Sequence, residues 1–453
     1  MNLDALRSRI DGAVLTRDDD GFADEVAGFN TRIIHSPDVV VGADTPEDVA
    51  AAVQFARANG FGVAVHATGH GAASAPAVSD GVMVSTKRLD SVSIDAESRT
   101  AVIGAGARWA DVHEAAAPHG LTPIPGSSPG VGAVGYTLGG GLGPLSRSHG
   151  FTSDWARGFT VATGTGELVT ASASENPDLF WALRGGKVGL GIVTEMRLEL
   201  APLPSVHAGS LYFDETHIET AFRAWIEWTA TVPDDVTTSA AFVHYPPFEF
   251  VPEPLRGRHL LTLRFAFPGG AHEGERLAEG LRSAAPVLLD TIGELPTSQL
   301  GRIHNDPDQP GPSWDRGVLL TGVDQDFADA LLDHIGAGVP TPFVATEVRH
   351  LGGRTRVDVA GGSAVGGRSS DFTLVFIGVD PALFEREMPD AADAVTADIR
   401  LWVSPETNVN FGGRMRSIEH FESAWPAATR ERLTGVRSRY DPDGLFAYGP
   451  GGE

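Results

Sequence analysis

The chain has no cysteine. Disulfides, thiolate nucleophiles, cysteine-ligated zinc and iron–sulfur clusters are therefore excluded. Lysine is nearly missing too: Lys87 and Lys187 are the only two, and arginine supplies the rest of the basic charge. Acidic residues outnumber basic ones, 59 to 34, for a formal net charge of −25. That balance disfavours a nucleic-acid backbone or an anionic membrane as partner, and favours solubility. Long apolar runs are absent, and no stretch approaches the ~18 residues of a membrane span. The opening MNLDALRSRIDGAVL lacks a basic start followed by a long apolar segment, so it does not read as a signal peptide. A cytoplasmic protein is the simplest expectation.

What is present is an ordinary globular balance, 42 % apolar and 21 % charged, over 453 residues. That length exceeds one compact core, so two lobes are expected. Early in the chain, strand and helix patterns alternate. VVVGA at 39–43 precedes TPEDVAAAVQFARANG, which has Thr45 as N-cap, Pro46 in the first turn and Gly60 as stop. FGVAVHATG at 61–69 is a strand running into a glycine turn. GVMVST and SVSIDAESRTAVIGAGAR read as paired strands, and WADVHEAAAPHG as a short helix. FTVATGTGELVTAS reads as a hairpin turning at Thr163–Gly166. NPDLFWALRGG is a capped helix, and LGIVTEMRLEL a strand. Two prolines in PLPSV, at 202–206, then break the pattern. Beyond them HAGSLYF, SAAFVHY, HLLTLRFAF, RGVLLTGV, FVATEVRHL and DFTLVFIGV alternate with amphipathic segments. A mostly antiparallel sheet covered by helices fits this region.

Two glycine loops carry the chemistry, because the chain's 55 glycines are clustered. The first is His66-Ala67-Thr68-Gly69-His70-Gly71, at a strand end. Its histidines are four apart but flanked by glycines, not on a helix, so a metal pair is not read here. Free N–H groups beside an imidazole suit a phosphate-bearing ligand. The second runs from Pro125 to Gly143 and includes Gly126, Ser127, Ser128, Val131, Gly132, Gly135, Leu138, Gly139 and Gly140. It is apolar as well as glycine-dense, unlike a linker, which suggests backbone pressed on a flat ligand. Gly126-Ser-Ser128-Pro-Gly130 matches the hydrolase pattern G-x-S-x-G in letters. Pro129 defeats it, since the residue after the nucleophile must offer an N–H to the oxyanion. Gly104-Ala-Gly106-Ala-Arg-Trp109 starts like a nicotinamide dinucleotide fingerprint, but Trp109 stands at the last glycine.

Together, from about Phe29 to Phe446, these segments resemble the vanillyl-alcohol oxidase and berberine-bridge-enzyme group of FAD-linked oxidases. Pro37-Asp-Val-Val-Val and Asp44-Thr-Pro-Glu-Asp-Val49 resemble its opening strand and helix. The two glycine loops resemble its FAD loops, and Asn176–Gly186 with Gly191-Ile192-Val193-Thr194 its adenine-side segment. Asn408-Val-Asn410-Phe and Tyr440-Asp-Pro-Asp-Gly-Leu-Phe446 resemble the returning strand and tail. The resemblance implies an α+β, two-lobed protein with a PCMH-type FAD-binding domain. Residues 1–203 (core about 33–203) and 405–453 would form the FAD lobe, and 204–404 the substrate lobe. It implies FAD held covalently by His70, and hydride removal from an alcohol, amine or related C–H of a small molecule, such as a sugar or bacterial natural product. Oxygen would be the acceptor, and the enzyme a monomer or homodimer; a non-catalytic flavin-binding protein is the alternative.

Three departures qualify this picture. The position where relatives carry a second, cysteinyl link is Ser128, a poor nucleophile at neutral pH, so one link is expected. The position of a basic tyrosine is Asn408, which cannot take a proton. The usual Gly-Gly-Asn-Phe-Gly run reads Gly186-Lys-Val-Gly-Leu-Gly191. A base must then come from the substrate lobe. His244 and Tyr245 are adjacent on one strand, so at most one faces the flavin. Glu347 as base with Arg368 as anchor is another arrangement, against which stands a plain Glu347–Arg368 ion pair.

Overall fold

The computed structural model describes residues 3–249, 251–414 and 417–446. Its first sheet contains β1 (Ala13–Leu15), β2 (Val39–Gly42), β3 (Val63–His66) and β4 (Val82–Ser85), in the order β1-β2-β4-β3. The last three strands of that order run parallel, and β1 runs antiparallel to β2. Between β2 and β3 lies the helix Pro46–Asn59. Thr45 caps it as read, Asp48 closes the capping box, and Gly60 ends it at φ 69°. The buried Asp48 carboxylate also accepts the N–H groups of Asp11, Gly12, Asp44 and Thr45, pinning the N-terminal segment to the helix start.

The second sheet is antiparallel: β5 (Val92–Asp95), β6 (Thr100–Gly104), β7 (Ala156–Ala162), β8 (Leu168–Ser172) and β9 (Ile192–Glu199), ordered β5-β6-β9-β7-β8. The expected hairpin is β7–β8, closed by Gly166 N–H donating to Thr163 O. Helix Pro177–Leu183 forms where read, but Asn176 does not cap it with its side chain. The amide instead donates to Thr170 O and accepts from the Tyr440 hydroxyl, tying the helix to β8 and the C-terminal helix Ala427–Tyr440. Leu433, Val436 and Tyr440 of that helix join the core of this sheet with Phe180 and Trp181.

The third sheet holds β10 (Ser205–Asp214), β11 (Thr237–His244), β12 (His259–Phe267), β13 (Leu289–Asp290), β14 (Gly293–Pro296), β15 (Trp314–Leu320), β16 (Ala345–His350) and β17 (Phe372–Gly378). Its order is β13-β10-β12-β11-β16-β17-β15, with β14 also on β10, all antiparallel. Alternation sorts its two faces. Leu211, Phe213, Phe242, Leu263, Phe265, Val348, Leu374 and Phe376 form a core with helices 218–229, 271–282, 325–335 and 387–398. The opposite face carries Ser239, Thr262, Arg264, Glu347, Arg349 and Asp315, and it looks toward the first two sheets. Leu319, on that face of β15, packs with Leu142 and Phe151 of the first lobe. The protein is thus α+β and two-lobed, with a polar sheet face over the glycine loops.

Candidate functional site

β3 ends at His66, and the chain turns through the first glycine loop. Gly69 sits at φ 73°, and a Cβ on it would lie 2.6 Å from Gly28 Cα, so only glycine lets the loop lie flat on Gly28–Phe29. Phe29 N–H donates to Thr68 O at 2.9 Å. The Phe29 ring stacks on His70, centroids 3.7 Å apart. His66 points the other way and is buried, with Nε2 2.9 Å from Ala27 O. Burial pulls both imidazoles down to about 4, and Arg108 adds to the effect on His70. His70 is therefore neutral at physiological pH. The N–H groups of Thr68, Gly69 and His70 find no acceptor among the described residues.

The second loop lies against the first. Gly132 N–H donates to Thr68 Oγ1 at 3.3 Å. A Cβ on Gly130 would stand 3.5 Å from His70 Nε2 and 3.9 Å from Ser128 Oγ, so the two side chains converge on one spot. Helix Trp109–Ala116 backs this loop: Trp109 N–H donates to Val131 O and Ala110 N–H to Pro129 O. That use accounts for the Gly104–Trp109 segment, where Cβ atoms on Gly104 and Gly106 would overlap the Leu89 and Thr86 carbonyls. A Cβ on Gly139 would overlap the Asn410 amide, and one on Gly143 the Pro125 carbonyl. Asn410 Nδ2 donates to Tyr136 O, while Lys187 Nζ donates to Asn410 Oδ1 at 2.9 Å and Gly135 O at 2.8 Å. Asn408 is buried, and its Oδ1 is occupied by the N–H of Asn410. Gly191 (φ 109°) immediately precedes β9, and Ile192 and Val193 pair with Ala162 and Val161 in the buried sheet.

Two hollows open between the lobes. One, of about 320 Å³, is lined by His70, Gly71, Lys187, Asp315, Asn410 and Gly413. The other, of about 390 Å³, lies between Gly143–Ser146 and the polar sheet face at Ser239, Arg264 and Arg349, with His304 beside that face. Converging glycine loops with unclaimed N–H groups, a neutral imidazole and an adjacent cleft fit a flat, phosphate-bearing cofactor.

The expected catalytic residues are placed differently. Glu347 does not meet Arg368. Its carboxylate is clamped between Arg264 Nη1 at 2.5 Å and Arg349 Nη2 at 2.8 Å, with His304 Nε2 at 3.5 Å. Those guanidiniums outweigh burial and hold its pKa well below the ordinary value, so it is a poor base. Arg368 bonds Asp154 at 2.5 Å and lies over the Phe151 ring, a structural link from the second lobe to the first. Of the adjacent pair, Tyr245 takes the polar face, beside Tyr212 and Thr262, and burial pushes its phenol up. His244 takes the helix face and stacks on His259 at 3.8 Å. It is not directed at the cleft, as β-strand alternation requires of one member. Sequence reading missed Asp315, Lys187, Phe29, Arg264 and Arg349. Lys187 lies in the Gly186–Gly191 run but had no role read there; the other four lie in no motif, and Asp315 stands just before the RGVLLTGV segment read as a strand.

Comparison with known proteins agrees with this geometry. Residues 37–172 match a family described as the FAD binding domain. An uncharacterized FAD-linked oxidoreductase of Bacillus subtilis is 24% identical over 98% of this chain and 97% of its own length. The (R)-6-hydroxynicotine oxidase of Paenarthrobacter nicotinovorans is 35% identical over 43% of each chain. Among solved structures, the xylooligosaccharide oxidase of Myceliophthora thermophila superposes with a TM-score of 0.84, at 20% identity, covering 99% of this chain and 98% of that one. Fold and domain define an FAD-linked oxidoreductase. Over its whole length the chain shares the fold of solved oxidases of this kind.

Proposed function

We propose that this protein is an oxidase holding FAD through a single covalent bond from His70, with oxygen as final acceptor. The observation that carries the reading is His70 itself: neutral, stacked on Phe29, and converging with Ser128 beside the cleft. FAD, when bound, supplies a hydride acceptor that oxygen can reoxidise. The first loop would hold its pyrophosphate through the N–H groups of Thr68–His70. The second loop would take the ring system against Gly126–Gly132 and Gly139–Gly143, and Gly191–Val193 would take the adenine end. Residues 1–203 and 405–453 serve as the cofactor lobe, and 204–404 as the lobe that selects a small molecule by its polar sheet face. Among the described residues no helix is long and apolar enough to cross a membrane, and we place the enzyme in the cytoplasm.

The substrate is an alcohol or amine with an oxidisable C–H. Relatives are named for a hydroxynicotine and for xylooligosaccharides, so these define the first panel. The test is the purified protein's spectrum before and after acid precipitation, followed by peroxide release with 6-hydroxynicotine, xylobiose and simple alcohols and amines. Yellow colour that stays with the precipitate, and leaves it in His70→Ala, is expected. A colourless protein of unmodified mass defeats the reading.

A further inference from the structure

Asn408 leaves the site without its expected base, and Glu347 is spent on two guanidiniums. We infer that Asp315 takes that part: its carboxylate accepts the substrate's hydroxyl or amine proton as hydride leaves the adjacent carbon. The inference rests on the oxidase reading above. In the step, an O–H or N–H bond breaks toward Asp315 and a C–H bond breaks toward FAD with its electron pair. A C=O or C=N bond forms in the product.

Position comes first. Asp315 is the second residue of β15 and shares a face with Gly317 and Leu319, the face that meets the cofactor lobe. Its neighbours point away: Trp314 enters the helix-covered core, and Arg316 pairs with Asp393 at 2.8 Å. Asp315 thus lines the same cleft as His70, Lys187 and Asn410. A base acting on a substrate poised over the flavin must stand in that cleft.

Availability comes second. The other acids on this side are engaged: Glu347 with Arg264 and Arg349, Asp154 with Arg368, and Asp306 as acceptor of the Ser127 hydroxyl. The Asp315 carboxylate has no hydrogen bond or ion pair of that kind among the described residues, although the residue is partly buried. A structural aspartate in such a place is normally satisfied. The charged group acting on it is Arg32, from the segment after Phe29; Lys187 and His70 line the same cleft, and its β17 partner is the apolar Ile377. Burial raises its pKa to about 6, against a lowering by Arg32. Burial likewise draws Lys187 down to about 8. A carboxyl titrating near neutrality is matched to proton removal under physiological conditions.

The test uses the flavin-loaded protein and sulfite, a small anion that bleaches oxidised flavin at N5 and needs no knowledge of the substrate. Affinities of wild type and Asp315→Asn are compared at equal pH, which cancels sulfite's own ionisation. The two should agree near about pH 5 and diverge to about tenfold weaker binding in wild type by about pH 8, as a carboxylate charge develops beside the site. Flavin reduction by a substrate from the panel should fall by about a hundredfold in Asp315→Asn, with Asp315→Glu partly restoring it. Asp315→Ser replaces the Asn variant if that does not fold. A pH-independent sulfite ratio, or reduction at the wild-type rate at every pH, overturns the assignment. A wild-type protein that takes up no FAD overturns the oxidase reading instead, and the missing flavin spectrum tells the two failures apart.

Discussion

Glu347→Gln removes the charge that holds Arg264 and Arg349 together beneath the site. In the structure the carboxylate is 3 % exposed and touches both guanidiniums, while Arg264 is 8 % exposed. Deleting one partner of a buried ion pair leaves uncompensated charge, at a cost of about 3–5 kcal/mol. The neutral amide keeps some hydrogen bonding, so about 3 kcal/mol is expected. For a lobe of this size that is a drop of roughly 6–12 °C in melting temperature. The pH dependence has a definite sign. The folded carboxyl titrates well below its ordinary value, so its stabilisation is complete above the unfolded pKa of about 4.3 and is lost as pH falls toward the folded value. Wild type should therefore lose its advantage over the Gln variant below about pH 4. The assay is thermal unfolding of the flavin-loaded protein, followed by circular dichroism in steps of pH. Arg264→Met and Arg349→Met with Glu347→Leu should recover much of the loss, because well-packed apolar side chains avoid the desolvation penalties of all three charges. A Gln variant melting within about 2 °C of wild type at neutral pH would refute the clamp.

Other expectations follow from the same geometry. In His70→Ala, adding Ser128→Cys should return covalent flavin, since both positions converge on the space beside Gly130; free flavin after acid precipitation would show Ser128 misdirected. Asp315→Asn should raise stability at neutral pH by about 2 kcal/mol, because the folded carboxyl is raised to about 6 and ionises against burial. The gain should vanish below about pH 4, where both states are protonated, and equal melting temperatures at neutral pH would count against it. Asp48→Ala leaves the N–H groups of Asp11, Gly12, Asp44 and Thr45 without their shared acceptor, so a loss of about 3 kcal/mol is expected in urea unfolding.

How much was legible without coordinates depends on how far apart in sequence the cooperating groups lie. The helix start at Thr45, the stop at Gly60, the hairpin turn at Thr163–Gly166 and the two glycine loops could all be read. Each depends on residues within a few positions of one another: a cap satisfying its own first turn, a glycine permitting a positive φ. The pairing of His70 with the second loop followed from resemblance across a separation of about sixty residues, not from local chemistry. Asn408 could be set aside as a base from its side-chain chemistry alone, because an amide takes up no proton at neutral pH.

Tertiary structure decided the rest. Strand alternation required His244 and Tyr245 to face opposite ways, but only the register of β11 against β12 and β16 put Tyr245 on the polar face and His244 against His259. Glu347 and Arg368 looked like natural partners at twenty-one positions apart. The sheet instead brings Arg264 to Glu347 through β11, and the first lobe brings Asp154 to Arg368. Neither Asp315 nor Lys187 had a role readable from its own segment: Arg32 acts on Asp315 and Asn410 binds Lys187, each from more than two hundred residues away. A charge acquires its chemical role from the burial and counter-charges around it, and those are set by the packing of distant elements, which local sequence does not encode.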